Sequence, residues 1–353
     1  GAWPGRRSTT SPPAGIGALV VLYARYYMAA EDPVPRLFSY LLAFVGAMLG
    51  IVLSGNLIQL VVFWELTSLF SYLIIGFDSS KKDARKAALQ SLIVTAGGGL
   101  ALFGGILLIG LELDTWSLSQ IASRGPELAA SPLASAILVL VLVGTFTKSA
   151  QFPFHFWLPE AMAAATPVSA FLHAAAVVKA GVYLLIRFST IFHDVAVWNW
   201  LLIVVGMGTA VMSAVFAVQK TDLKKLTAYS TVSHLGWIVA TIGVGTPFAI
   251  AAALVHTLAH ALFKSSLFML IGVIDHEAGS RDIRRLGPLW NKMPWTFGSV
   301  VIGAASMAAV PPLLGFVSKE GMLDSFTEAP FPQWGIIALL IVAGLVVLGA
   351  FVA

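Results

Sequence analysis

The chain has 353 residues, 58% of them hydrophobic and 11% charged, with a mean hydropathy of +0.88; soluble domains carry about 25% charged residues, so this is an integral membrane protein. The net charge of +4 sits in short clusters between apolar runs and forms no continuous basic face, which excludes nucleic acid as a partner. With no cysteine there can be no disulfide, thiolate metal site, cysteine-ligated iron–sulfur cluster or cysteine nucleophile. The sequence also lacks a Gly-rich nucleotide loop and a metalloprotease helix. Nothing in it looks like an enzyme active site, and no cofactor or bound metal is expected.

Residues 1–13, GAWPGRRSTTSPP, are polar and proline-rich and are expected to be a disordered or non-native lead to a membrane domain over 14–353. The apolar run 335–353 stops without flanking charge, so the chain reads as a fragment of something longer. Taking roughly 20 apolar residues per crossing, spans are predicted near 15–30, 36–54, 57–76, 87–111, 133–152, 165–188, 198–218, 226–244, 247–273, 296–321 and 334–353. The fold class is then all-α and polytopic. If 36–54 runs outward, one side of the membrane carries thirteen basic residues, in clusters at Arg25 and Arg36, 81–86, 220–225 and 281–292. The opposite loops hold only Arg124 and Arg187. This asymmetry places the basic loops in the cytoplasm, and a multi-pass protein of a bacterial inner membrane is expected.

The span 133–152 should break just after Lys148, because Pro153 removes a backbone donor and clashes one turn back. Five spans later, 296–321 carries Pro311, Pro312 and Gly315 just before Lys319. Five is odd, so two repeats, about 36–190 and a truncated 198–353, would be inverted relative to each other. Paired interruptions at matching places in inverted repeats point to an ion pathway.

Ionisable residues at membrane depth are costly and functional by default. The candidates are Glu65, Lys148, His173, Lys179, His234, His256, His260, Lys264, Lys319 and Glu320. Glu65, mid-helix in FWELTSLFSY, needs a cationic partner, for which Lys148 is the candidate. A Glu–Lys pair that only holds two helices together is the structural alternative. His256, His260 and Lys264 recur every four residues, one stripe with steps of about 6 Å that suits a water-bridged proton wire. Two histidines at that spacing could also ligate zinc, but no third ligand is evident. His173 and Lys179 lie on different faces of one helix and could serve two neighbours. His155, after the break, is an accessory candidate, as is Glu320; His234 reads as a packing residue. Lys224, in QKTDLKKLTAYS, is either a positive-inside anchor or a gate at the cytoplasmic mouth.

The stretches FTKSAQFPFHFWLPEAM, ATPVSAFLHAAAVVKAGVYLL, TDLKKLTAYSTVSHLGW, HALFKSSLFM and GFVSKEGML resemble the antiporter-like subunits shared by respiratory complex I, membrane-bound hydrogenases and Mrp-type multisubunit cation/proton antiporters. IDHEAGSRDIRRLGPL looks most like the large A-type subunits of the Mrp group. The resemblance covers nearly the whole chain from about residue 15; one departure is Ala165, where the family usually has proline. It implies two inverted five-helix bundles with polar residues along the membrane midplane. It further implies Glu65 paired with Lys148, His173 and Lys179 as linking groups, Lys224 and Lys264 as central lysines, and Lys319 as the terminal lysine. The implied function is exchange of sodium or another monovalent cation for protons, within a hetero-oligomer of small membrane subunits. A proton-pumping subunit of a redox complex such as an NADH:quinone oxidoreductase or a membrane-bound hydrogenase is the other reading. No carboxylate cluster suited to sodium is visible in the sequence.

Overall fold

The computed structural model describes residues 5–29, 31–327 and 329. Its long helices are α1 (Gly5–Tyr27), α2 (Val34–Leu53), α3 (Leu57–Ile75), α4 (Lys82–Leu113), α5 (Ala134–Lys148), α6 (Val177–Phe192), α7 (Ala196–Val218), α8 (Leu223–Gly243), α9 (Pro247–Ala278), α10 (Pro294–Met307) and α11 (Leu314–Thr327). Among the described residues there is no β-strand, only two isolated bridges. The all-helical expectation holds. The span expected at 334–353 lies outside the described residues.

Among the described residues, six stretches are long and apolar enough to cross a membrane: α2, α3, α4, Thr166–Phe192, α7 and α9. The other expected spans within the described residues are shorter or more polar. α5 ends at Lys148, after fifteen residues, and the predicted 296–321 divides into α10 and α11, each of fourteen. Residues 5–13, part of the lead expected to be disordered or non-native, are helical. Ile16, Val20 and Ala24 of α1 are buried, and once that segment is anchored, helix propagates back through its polar start at little cost per residue.

The stretch Thr166–Phe192 is buried throughout its apolar window, as expected of a helix apolar on all sides, and the others pack around it. It includes a π-helical segment at Ala170–Ala176, a form frequent at functional sites. α7 and α8 approach most closely through glycine. A Cβ on Gly206 would stand 2.6 Å from the Gly236 carbonyl oxygen, and one on Gly236 would stand 2.5 Å from that of Gly206. Small residues are what allow membrane helices this contact.

Both expected breaks are present, and they are built alike. After α5, Ser149 N–H donates to Thr145 O (2.9 Å) and Gln151 N–H to Phe146 O (2.9 Å), with Ala150 left-handed at φ 52°. After α10, Ala308 N–H donates to Ala304 O (2.8 Å) and Val310 N–H to Ala305 O (2.9 Å), with Ala309 at φ 64°. These are Schellman-type ends with alanine where glycine is usual. The match runs residue for residue, Ser149 with Ala308, Ala150 with Ala309 and Pro153 with Pro312. It puts Met307 opposite Lys148.

At the end of α9, the loop is clasped to the start of α8. Asp222 caps α8 through Lys225 N–H (3.0 Å) and accepts from Arg281 Nε (2.6 Å), while Leu223 N–H donates to Arg281 O and Ile283 N–H to Thr221 O. Beside it, the Arg284 guanidinium donates to both oxygens of Asp282 and holds that carboxyl down at about 2. At the other basic loop, Lys81 and Ser80 likewise hold Asp78 at about 2.

Candidate functional site

The site is a string of buried polar side chains, and its first group is built by the break after α5. Lys148 closes α5, and its side chain is buried. Its Nζ donates to Ser68 Oγ (2.5 Å) and Trp64 O (3.2 Å) on α3 and lies 5.3 Å from the Trp64 ring centroid. Groups freed by the break find protein partners: Trp157 Nε1–H donates to Thr147 O (2.9 Å) and Phe152 N–H to Thr209 Oγ1 (3.0 Å). That is the condition under which irregular backbone survives at membrane depth.

The expected direct Glu65–Lys148 ion pair is not formed: no nitrogen–oxygen distance below 4 Å joins them. The lysine instead bonds the residue before Glu65 and the one a turn after it. Glu65 is half-buried, its Oε1 is buried without a hydrogen-bond partner, and the residue borders a cavity of about 610 Å³ lined otherwise by groups such as Val62, Leu69, Leu100 and Phe103. What holds the carboxylate there is α4. A Cβ on Gly99 would overlap Glu65 Oε1, and a Cβ on Gly98 would overlap Thr147 Oγ1. Within the run Gly97-Gly98-Gly99, which looks only like a weak spot in a helix, Gly98 and Gly99 form a cradle for Glu65 and for the turn that carries Lys148.

The middle of the string joins α6, α8, α9 and α11. Lys179 Nζ lies 3.1 Å from His260 Nδ1, His256 Nε2 lies 3.0 Å from His234 Nδ1, and His256 Nδ1 lies 2.9 Å from Ser318 Oγ. All of these residues are buried. Both ring nitrogens of His173 are buried without hydrogen-bond partners; its ring lies 6.0 Å from that of Trp157.

The last group surrounds the second break. Lys264 Nζ donates to Ser230 Oγ (2.6 Å) and contacts Met307 Sδ (3.1 Å), while Lys319 Nζ donates to Met307 O (2.6 Å). Near the clasp, buried Lys224 donates to Ala164 O (3.1 Å) and borders a cavity of about 280 Å³ that also meets Asp32, Asp78, Lys81, Asp275 and Arg281. Three carboxylates from segments remote in sequence thus share one mouth, a grouping no local motif announces.

Of the predicted residues, the structure therefore bonds Lys179 to His260 and places His256, bonded to His234 and Ser318, beside them; it brings Lys264 and Lys319 together on Met307, and it buries Lys148, His173 and Lys224. His256, His260 and Lys264 do share a helix, but the two rings stand 6.4 Å apart with no hydrogen bond between them. Glu320 is exposed, and half-buried His155 stacks on Phe152 at 6.2 Å, outside the string. His234, expected to be a packing residue, lies inside the cluster. A histidine within an apolar helix was the available signal; its partners belong to other helices. A lysine at mid-membrane costs about 2.5–3.5 kcal/mol, so hydrogen-bonded lysines at this density can hold and pass protons but make poor packing material.

Residues 54–347 match the family described as NADH:quinone oxidoreductase/Mrp antiporter, transmembrane. The chain is 54% identical over 305 residues to a probable K(+)/H(+) antiporter A/B-type subunit of Rhizobium meliloti, covering 86% of this chain and 30% of that protein. It is 47% identical over 320 residues to the A-type Na(+)/H(+) antiporter subunit of Bacillus subtilis, covering 87% and 40%. It thus spans less than half the length of these relatives. Among solved structures, a chain of the Mrp complex from Dietzia superposes with a TM-score of 0.94 at 49% identity, over 99% of this chain and 38% of that one. A chain of an archaeal membrane-bound sulfane sulfur reductase shares the fold at TM-score 0.87 and 24% identity, over 98% and 71%. With its apolar helices, its paired breaks and a family match over most of its length, the chain belongs to the NADH:quinone oxidoreductase/Mrp antiporter transmembrane family and is a multi-pass membrane protein.

Proposed function

We propose that this chain is the proton-conducting part of one component of a multisubunit monovalent cation/proton antiporter. Protons pass along Lys148, His173, Lys179, the histidine cluster, Lys264 and Lys319, with Glu65 setting the charge of the first lysine and Lys224 serving the cytoplasmic mouth. The single observation that carries this reading is the string itself: ionisable side chains on α5, α6, α8, α9 and α11 are buried together, each lysine with a hydrogen-bond acceptor or ring nitrogen in reach. Sodium or potassium is the exchanged cation by analogy with the relatives' names, and other membrane subunits are the partners. The two halves, about 36–190 and 198–353, act as repeats that each contribute one broken helix.

The test is proton efflux from inverted vesicles on adding sodium or potassium, in the complete complex and normalised to assembled protein. Lys148→Ala should abolish it, and Glu65→Ala should nearly do so. Glu65→Asp should retain partial activity, since it keeps the charge on a shorter arm. Normal efflux per assembled complex in Lys148→Ala would sink the reading; losses of efflux matched by losses of assembled protein would make the two residues structural.

A further inference from the structure

We infer that His234 on α8 is a proton-carrying station that joins His260 to His256. The wire then leaves α9 and returns to it, instead of running along its stripe. This inference rests on the proton-conducting reading above. Helical spacing brings His256 and His260 onto one face but leaves their ring centroids 6.4 Å apart, too far for direct transfer. His234 closes that gap. Its Nδ1 is hydrogen-bonded to His256 Nε2 at 3.0 Å with the rings stacked, and its centroid lies 5.4 Å from that of His260, nearer than His256 comes.

The orphaned atoms point the same way. Among these three rings, the two nitrogens buried without a partner are His234 Nε2 and His260 Nε2, on adjacent rings. Buried polar atoms are rarely left unpaired, and one water needs only a few such partners to be held. The Phe263 ring sits within 5.5 Å of both centroids and walls the cluster with apolar surface.

The transfer balances. A proton from the Lys179 ammonium moves to His260 Nδ1, leaving a neutral amine. The imidazolium releases its Nε2 proton through the bridging water to His234 Nε2. His234 then releases its Nδ1 proton to His256 Nε2, and the charge rests on His256, whose Nδ1–H donates to Ser318 Oγ, next to Lys319. Each ring takes a proton on one nitrogen and gives one from the other, so His260 and His234 end in the opposite tautomer and reset by ring rotation or by return of a proton.

His234→Gln and His234→Asn, made in the complete antiporter complex, keep a hydrogen-bonding side chain that cannot carry charge. Cation-driven proton movement per assembled complex should fall at least tenfold, with a larger rate ratio between H2O and D2O, because the missing hop becomes limiting. His234→Gln combined with His256→Gln should lose no more than either change alone, since both cut one wire. Unaltered transport in His234→Gln, losses that multiply in the double variant, or a loss with an unchanged isotope ratio would each overturn the inference. Lys264→Ala, measured alongside, separates the two levels. If it too transports normally, the proton-conducting reading falls; if it is inactive while His234→Gln is normal, only the role of His234 does.

Discussion

The two helix breaks share one backbone and differ in the side chain they carry. At the first, the residue that closes the helix is Lys148, which reaches across to Ser68 and Trp64 on α3, and the freed backbone groups are met by neutral partners, Trp157 and Thr209. At the second, the matching residue is Met307, and the cations come from elsewhere: Lys264 of α9 on its sulfur and Lys319 of α11 on its carbonyl oxygen. A repeated backbone device can therefore position an ammonium in two ways, by bearing it or by presenting an acceptor to it. Position in a motif does not by itself assign a role.

The sharpest way to break that comparison is to make the first site resemble the second. Lys148→Met should abolish cation-driven proton movement while leaving the complex assembled, because methionine matches the lysine in length and packs without a charge to solvate. The reciprocal change, Met307→Lys, should also be severe, since it adds a third ammonium beside Lys264 and Lys319 with no new carboxylate. Efflux normalised to assembled protein reads both; normal transport in Met307→Lys would mean that the second break tolerates what the first requires.

A smaller effect is expected from the glycine cradle on α4. Gly99→Ala should push the Glu65 carboxylate out of its place and reduce transport about tenfold, equivalent to about 1.4 kcal/mol. Gly97→Ala is the control, because nothing lies within 4 Å of its added Cβ. Equal effects of the two would dismiss the cradle.

The remaining tests concern stability. Gly236→Ala should cost about 1–3 kcal/mol by forcing α7 and α8 apart, read as a lower unfolding temperature in detergent, with Gly208→Ala, whose Cβ meets open space, near neutral. Ala150→Gly and Ala309→Gly should each raise stability by up to about 1–2 kcal/mol, the cost of a left-handed non-glycine residue. An upward shift at only one of them would show that the two ends are not equally strained. The smallest effect belongs to the Asp282–Arg284 pair beside the clasp. Its carboxyl is held at about 2, below the ordinary 3.8, so its stabilisation is present above pH 4 and fades as pH falls toward 2. Asp282→Asn should flatten that window slightly in an acid titration followed by helix signal.

The sequence alone determined the membrane class, the helical fold and the positions of both breaks, because these follow from local causes: apolar runs of fixed length, prolines and ionisable residues that hydrocarbon penalises wherever the chain leads. It also named most of the string, since a charge at membrane depth is conspicuous without knowledge of its neighbours. Only the tertiary structure decided who meets whom. The Glu65–Lys148 pair gives way to bonds with Trp64 and Ser68, the stripe of α9 is interrupted by His234 from α8, and the place of Lys148 at the second break belongs to Met307. Hydrogen bonds fall off within a few tenths of an ångström, and helix rotation and close approach at glycines such as Gly99 and Gly236 set those distances between residues tens to hundreds of positions apart in sequence.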